Sequence, residues 1–327
     1  MKKNDVKVSV LCTAYNHEKF LRQCLDGFVM QKTNFKYEVI VHDDASTDGT
    51  KKIIEEYVKK YPELIKPIYQ TQNQYSIDIN IMDNILFPIA KGKYIAICEG
   101  DDYWCDENKL QIQYDFMEQH LECPACFHNT CKHDLLGDLK DENFHKWGKI
   151  HYLTEKEVFD IWLVHTSSFF TRREYFKKDD YSKKYWFGDC VRLTTLFSKG
   201  PLAVLPQVMS VYNYNNTDGI TVQIYNTEQK KKIIEKRMQR IEYYVAYNEK
   251  TNYRYDNAVK AAIYSYETAI KRDVDKGDFK HYQQILNTHP YKKNYIKRCS
   301  LKNKIKFAIK CYCPIWFYKL IKKLKKK

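Results

Sequence analysis

Three carboxylates crowd into four residues at Glu99-Gly-Asp-Asp102, directly after the apolar run Tyr94 to Cys98. Ionised carboxylates this close repel one another unless a cation joins them, and a hard divalent ion that takes oxygen ligands also neutralises a diphosphate. Asp101 and Asp102 are therefore expected to hold Mn²⁺ or Mg²⁺. The competing reading is a solvated acidic turn that caps a helix beginning near Glu107; the adjoining Tyr103-Trp104 pair favours the metal, since a solvated turn has no need of it. Asp43 and Asp44 end a second apolar run, where a carboxylate can accept hydrogen bonds from a nucleobase or ribose, although Asp-Asp-x-Ser-Thr-Asp is equally a helix cap. Thr13 and Tyr15 end a first run and could hold a base by backbone contact and by an aromatic face, or simply form a turn. Asp189 follows Tyr185-Trp-Phe-Gly188 and precedes Val191, Leu193, Leu196 and Phe197. Alone it reads as an N-cap, but it lies far past the acidic cluster, where a general base could be delivered from another part of the chain.

These groups need a frame that brings them together. Val6 to Cys12, Tyr37 to Val41, Ile65 to Tyr69 and Tyr94 to Cys98 are short, β-branched or aromatic runs that predict strands. Between them lie helical spacings: Phe20 to Val29 with Asn16 at the cap position, Ile53 to Val58 stopped by Pro62, and Ile79 to Ala90 ended by Gly92. Alternation over about a hundred residues predicts an α/β fold with a mostly parallel, Rossmann-like sheet covered by helices on both faces. In such sheets ligands bind beyond the carboxyl ends of the strands, which is where all three polar clusters fall.

Taken in order, these clusters resemble the family 2 glycosyltransferases, inverting enzymes of the GT-A fold, over about Val6 to Thr221. Thr13-Ala14-Tyr15-Asn16 is similar to the family's opening nucleotide-binding turn, and Val39 to Thr50 to its second motif, in which Asp44 would contact the base. Glu99-Gly-Asp-Asp102 falls at the DxD metal motif, with Glu99 and Asp101 also facing the nucleotide, and Phe187-Gly-Asp189 falls at the catalytic base. His165-Thr166-Ser167, within His165 to Arg173, resembles the segment beside the acceptor, to which Trp104 also belongs. Two departures stand out: Glu99 replaces the first Asp of DxD, and Tyr212-Asn-Tyr-Asn-Asn216 lacks the Arg and His often found there. No QxxRW-like segment of processive synthases occurs. The resemblance thus implies transfer of one sugar from a nucleotide-diphosphate donor, by preference uridine-linked, to a saccharide or lipid-linked acceptor in cell-surface glycan synthesis.

Composition supports a globular enzyme and narrows its surroundings. Fifteen of the 55 Lys and Arg follow Asp278 with no Asp or Glu among them, which leaves 40 basic against 41 acidic groups in the body. A near-neutral body with a cationic end predicts no nucleic-acid partner but an anionic membrane surface, met by an amphipathic tail at 301–327 that carries Trp316 and Phe317. A GT-A domain at 1–224 and a helical appendage at 225–300 complete the expected layout. Eleven cysteines and no apolar leader predict a reducing compartment, hence a cytoplasmic location at the inner face of the membrane. Cys123, Cys126 and Cys131 with His128 and His133 could form a zinc cluster, but no second CxxC completes it, and the same run reads as a plain strand. Two rivals remain. A sugar-phosphate nucleotidyltransferase would need a Gly-rich basic loop after the first strand, yet no Gly precedes Gly27. A non-catalytic membrane-surface module would rest on the tail alone. A dehydrogenase lacks its GxGxxG.

Overall fold

A computed structural model describes residues 5–77, 80–160, 163–176, 187–214, 216 and 230–273. The basic tail expected at 301–327 lies outside the described residues. The chain divides into two units, 1–223 and 224–327.

The first unit alternates as expected: β1 (Val6–Ala14), α1 (Leu21–Val29), β2 (Lys36–Asp43), α2 (Thr50–Lys60), β3 (Ile65–Tyr69), α3 (Phe87–Ile89) and β4 (Tyr94–Ile97). There follow β5 (Tyr103–Trp104), α4 (Lys109–Gln119), β6 (Ala125–Asp134), β7 (Glu142–Asn143), β8 (His151–Tyr152), α5 (Glu155–Asp160), β9 (Phe170–Arg172), α6 (Gly188–Phe197) and β10 (Leu202–Tyr214). Val8, Val10, Leu11 and Cys12 of β1 and Val39, Ile40 and Val41 of β2 are all buried, as strands covered on both faces require. Helix α1 supplies part of that cover with Leu21, Cys24, Leu25 and Phe28 at i, i+3, i+4 and i+7.

The sheet order is β3-β2-β1-β4-β9-β6-β10-β5. Its first four strands run parallel. Strand β9, three residues long, then lies antiparallel to both β4 and β6 and turns the parallel sheet into a mixed one. The uncharged run Gly200 to Thr217 supplies β10, whose register shifts between Leu205 and Val208 around Pro206, because proline has no N–H for the ladder. No helix among the described residues is long and apolar enough to cross a membrane.

Two local expectations are corrected. The single helix read over Ile79 to Ala90 is a π-turn, Met82–Leu86, that runs into the short α3. Pro88 explains the break, since it suits the start of a helical segment and disrupts the interior of one. Asn16 does not cap α1, which begins four residues after His17; its φ of +54° puts it in the left-handed region, where Asn is among the few residues tolerated.

In the second unit α7 (Lys230–Lys250) turns at Asn252 and Tyr253, with φ of 51° and 62°, into α8 (Asp256–Asp273). Arg240 donates to the Tyr266 hydroxyl at 2.7 Å, and Asn248 donates to Asp256 at 3.0 Å.

Candidate active site

The ends of β1, β2 and β4 are stitched into one surface. Asp44 N–H donates to Ala14 O and Gly100 N–H donates to Thr13 O, each at 2.9 Å. The left-handed turn at Asn16 lets its Oδ1 accept from Thr47 N–H at 2.8 Å while its own N–H donates to Ser46 Oγ at 3.0 Å. His17 N–H donates to Thr50 Oγ1 at 2.8 Å. The His17 ring closes over Gly100, where an added Cβ would lie 2.9 Å from Nδ1 and force the ring to shift. Asp44 is buried, and its carboxylate accepts from the N–H groups of Gln74 at 2.7 Å and Tyr75 at 3.1 Å. It therefore fastens the segment after β3 to the end of β2. Asp43 accepts from Ser46 N–H at 3.2 Å, and Tyr15 leaves 45% of its surface exposed.

Beside this surface Glu99, Asp101 and Asp102 each offer an oxygen within 4.8 Å of the others, and no other such metal-capable group occurs among the described residues. The cysteine run around Cys126 is plain strand β6. Glu99 is raised to about 8, first by burial and then by the charges of Asp101 and Asp189. Asp102, almost wholly buried, is also raised by burial, then by Asp101 and Glu99, with Asn213 N–H opposing. Asp189 thus reaches the cluster electrostatically from the first turn of α6, where unpaired helix N–H groups favour an anion. His17 Nε2 lies 4.0 Å from Asp101 Oδ2.

This donor set fits a hard divalent cation. It is all oxygen, it comes from one tight turn, and among the described residues its mutual repulsion stands without a cationic side chain hydrogen-bonded to Glu99 or Asp102.

Of the four residues expected beside an acceptor, Trp104, His165 and Ser167 are buried and only Thr166 is partly exposed. Trp104 donates its indole N–H to Ser167 O at 2.9 Å and meets Phe28 edge-on at 4.7 Å between ring centroids. The Lys109 ammonium sits 3.6 Å from the centre of the same indole, and burial lowers this amine to about 7. His165 Nε2 lies 3.6 Å from Asp102 Oδ2, and burial depresses His165 to about 3, so the ring is neutral. These three residues form the inner wall behind the carboxylates.

Four participants escaped sequence reasoning. Asn213 N–H donates to Asp102 Oδ1 at 3.0 Å, and its side chain donates to Asp101 O at 2.6 Å. Tyr212 stacks on His165 at 4.3 Å. Arg192, three residues after Asp189, pairs with the buried Asp83 at 3.0 Å and lies 3.8 Å from the centre of the Phe176 ring. His17 follows the opening turn directly, which was the one available signal; the others depend on pairings with residues far away in sequence.

Among solved structures, S. aureus TarS superposes with a TM-score of 0.58 at 16% identity, over 91% of this chain and 50% of TarS. A form of TarS in complex with UDP-GlcNAc gives 0.52 at 14% identity, over 89% of this chain and 88% of that one. The Pyrobaculum calidifontis mannosyltransferase PcManGT, in complex with GDP-Man and Mn²⁺, gives 0.52 at 14%, over 94% and 86%. At these identities the likeness defines the fold, which is GT-A. Residues 9–180 match Glycosyl transferase family 2, and the chain belongs to that family. An uncharacterized protein of Mycobacterium tuberculosis is 34% identical over 223 residues, 68% of this chain but 63% of its own length, so the match spans less than two thirds of that relative. The poly(ribitol-phosphate) beta-glucosyltransferase of Bacillus spizizenii is 35% identical over 116 residues, 35% of this chain and 18% of that protein.

Proposed function

We propose that this chain transfers a single sugar, with inversion, from a nucleotide diphosphate, uridine-linked by preference, to a hydroxyl of a cell-surface saccharide or lipid-linked acceptor. One observation carries the reading: Asp189 enters from α6 close enough for its charge to raise Glu99 in the turn after β4. A base and an acidic cluster that arise from separate elements can flank one sugar. Asp189 takes the proton of the acceptor hydroxyl as general base. Those two carboxylates would hold Mn²⁺ or Mg²⁺, which when bound supplies positive charge to the leaving diphosphate. Tyr15, Asp43 and Asp44, with the Thr13 to Asn16 turn, line the nucleotide side, and Glu99 faces the ribose. Attack from the face opposite the leaving group inverts the anomeric centre.

The layout proposed is a catalytic domain at 1–224, a helical appendage at 225–300 and a basic tail at 301–327 that meets the inner face of the cytoplasmic membrane. Support for a wall-glycan role comes from the B. spizizenii enzyme's name, and support for the donor class from the UDP-GlcNAc and GDP-Man held by the two structural neighbours. The test is a panel of nucleotide sugars with Mn²⁺, read as nucleotide release, with the anomeric configuration of the product followed by NMR. Release of UDP and an inverted product is expected. A retained configuration removes Asp189 from its role, and no release from any donor with a range of glycan acceptors removes the reading.

A further inference from the structure

The acidic turn is held from outside, by β10. Strand β5, which follows the turn at once, pairs antiparallel with β10, Tyr103 opposite Val211 and Trp104 opposite Ser210. Cys105 N–H donates to Met209 O at 3.1 Å. Hydrogen-bonded pairs in an antiparallel ladder recur at every second residue, so Met209 with Cys105 leads to Val211 with Tyr103 and then to Asn213 with Asp101. A ladder carried that far would send Asn213 N–H to Asp101 O. Instead, Asn213 N–H donates to Asp102 Oδ1 at 3.0 Å, and the side-chain Nδ2 of Asn213 donates to Asp101 O at 2.6 Å in its place.

The amide side chain thus satisfies the last carbonyl of the ladder and releases a backbone N–H for a carboxylate. A bond of that kind is charge-assisted and favours the ionised form, against the burial that raises Asp102. Asn213 is itself 5% exposed and stands beside His133 in the parallel register of β10 with β6, so the turn is fastened to the interior of the sheet. We infer that Asn213 is the positioning residue of the acidic turn: through its side chain to Asp101 and its N–H to Asp102 it presents both carboxylates to one divalent cation. The inference rests on the reading that Asp101 and Asp102 hold such an ion. An Asp at this position could not serve, since an ionised carboxylate only accepts. Loss of partners that orient metal-binding carboxylates typically weakens metal affinity by about 10- to 100-fold.

Two substitutions in the same strand separate this role from folding. Asn213→Ala deletes the side-chain donor and keeps the backbone. Ser210→Ala, three residues earlier, deletes a buried hydroxyl that bonds Ser167 at 2.8 Å and Thr130 at 2.9 Å, and so reports what a weakened strand alone does. The measurement is the free Mn²⁺ signal in electron paramagnetic resonance, titrated against each protein mixed with equimolar UDP, with a titration of UDP alone subtracted. Thermal melting of each variant sets a working temperature below its transition. Expected is Mn²⁺ binding about 10-fold or more weaker in Asn213→Ala, and parent affinity in Ser210→Ala. Should Asn213→Ala melt too low to titrate, Asn213→Leu, which fills the same space without a donor, is expected to weaken Mn²⁺ in the same direction. Parent affinity in the Asn213 variant titrated overturns the inference, and so does equal weakening in Ser210→Ala. A parent protein that takes up no Mn²⁺ beyond UDP alone overturns the metal site itself, and the inference with it.

Discussion

Two glutamates of the same sheet, one buried within β2 and one half-buried just after β4, have opposite fates. Glu38, at the start of β2, is 1% exposed. Burial alone would raise its carboxyl, but hydrogen bonds from Lys66, from Ser9 Oγ at 2.6 Å and from Lys91 N–H at 2.7 Å more than offset this and hold it low. Glu99, after β4, feels the charges of Asp101 and Asp189 and is pushed up to about 8. Loss of water pushes both carboxyls up, and the partners decide the outcome. A satisfied carboxylate holds the sheet together, whereas an unsatisfied one at a strand's carboxyl end is kept for something that arrives from outside.

The contrast can be broken in several places. The largest effect is expected at the base. Asp189→Asn keeps the shape of the side chain and should lower transfer by roughly 10²- to 10⁴-fold, while nucleotide binding, measured separately by calorimetry, stays near the parent value. Transfer at the parent rate would end the assignment. Next comes Glu38→Ala, which takes the buried acceptor from the Ser9 hydroxyl and the stronger of two acceptors from Lys91 N–H; urea unfolding should show a loss of about 1–3 kcal/mol. Glu99→Gln in protein stripped of divalent ions should by contrast be neutral or slightly stabilising, since it removes repulsion rather than a bond. A large destabilisation there would mean that Glu99 is structural after all.

The smallest effect is on pH dependence. Glu38 is lower in the folded state, so its contribution is present above the ordinary carboxyl value and is lost as pH falls through its folded pKa. Glu99 is higher in the folded state, so its contribution is present below the ordinary value and fades as pH rises toward about 8. The urea midpoint of Glu99→Gln relative to the parent, without divalent ions, should therefore rise between the ordinary carboxyl value and about pH 8, whereas that of Glu38→Gln should change only below the ordinary carboxyl value. Parallel curves would contradict the distinction.

Much of this was legible in the chain. Strands β1, β2 and β4 announced themselves as apolar runs because their residues are largely buried, and the edge strand Ile65–Tyr69 was readable to the residue. The acidic turn was visible because like charges after a buried strand are hard to explain otherwise, whereas Asp189, at the start of α6, stood out by its place far past that turn and by resemblance to the family's base. Less legible was β9, three residues whose antiparallel pairing depends on strands far away in sequence. Asn16 looked like a cap because its side chain suits one, but the partner it takes, Thr47, lies across the next strand end. His165 looked like a surface residue beside an acceptor; only the folded chain turns it inward to Asp102. Local chemistry was readable where neighbours in sequence supply it, and obscure where the sheet does.

The central claim, that the carboxylates after β4 form a joint site for a cation and a nucleotide, is tested most directly by thermal melting with UDP and Mn²⁺ together and apart. Parent protein should gain several degrees only with both present, roughly what 100-fold excess over Kd gives, and the double variant Asp101→Ala with Asp102→Ala should gain nothing. Stabilisation by UDP that is indifferent to Mn²⁺ and survives in the double variant would contradict the account.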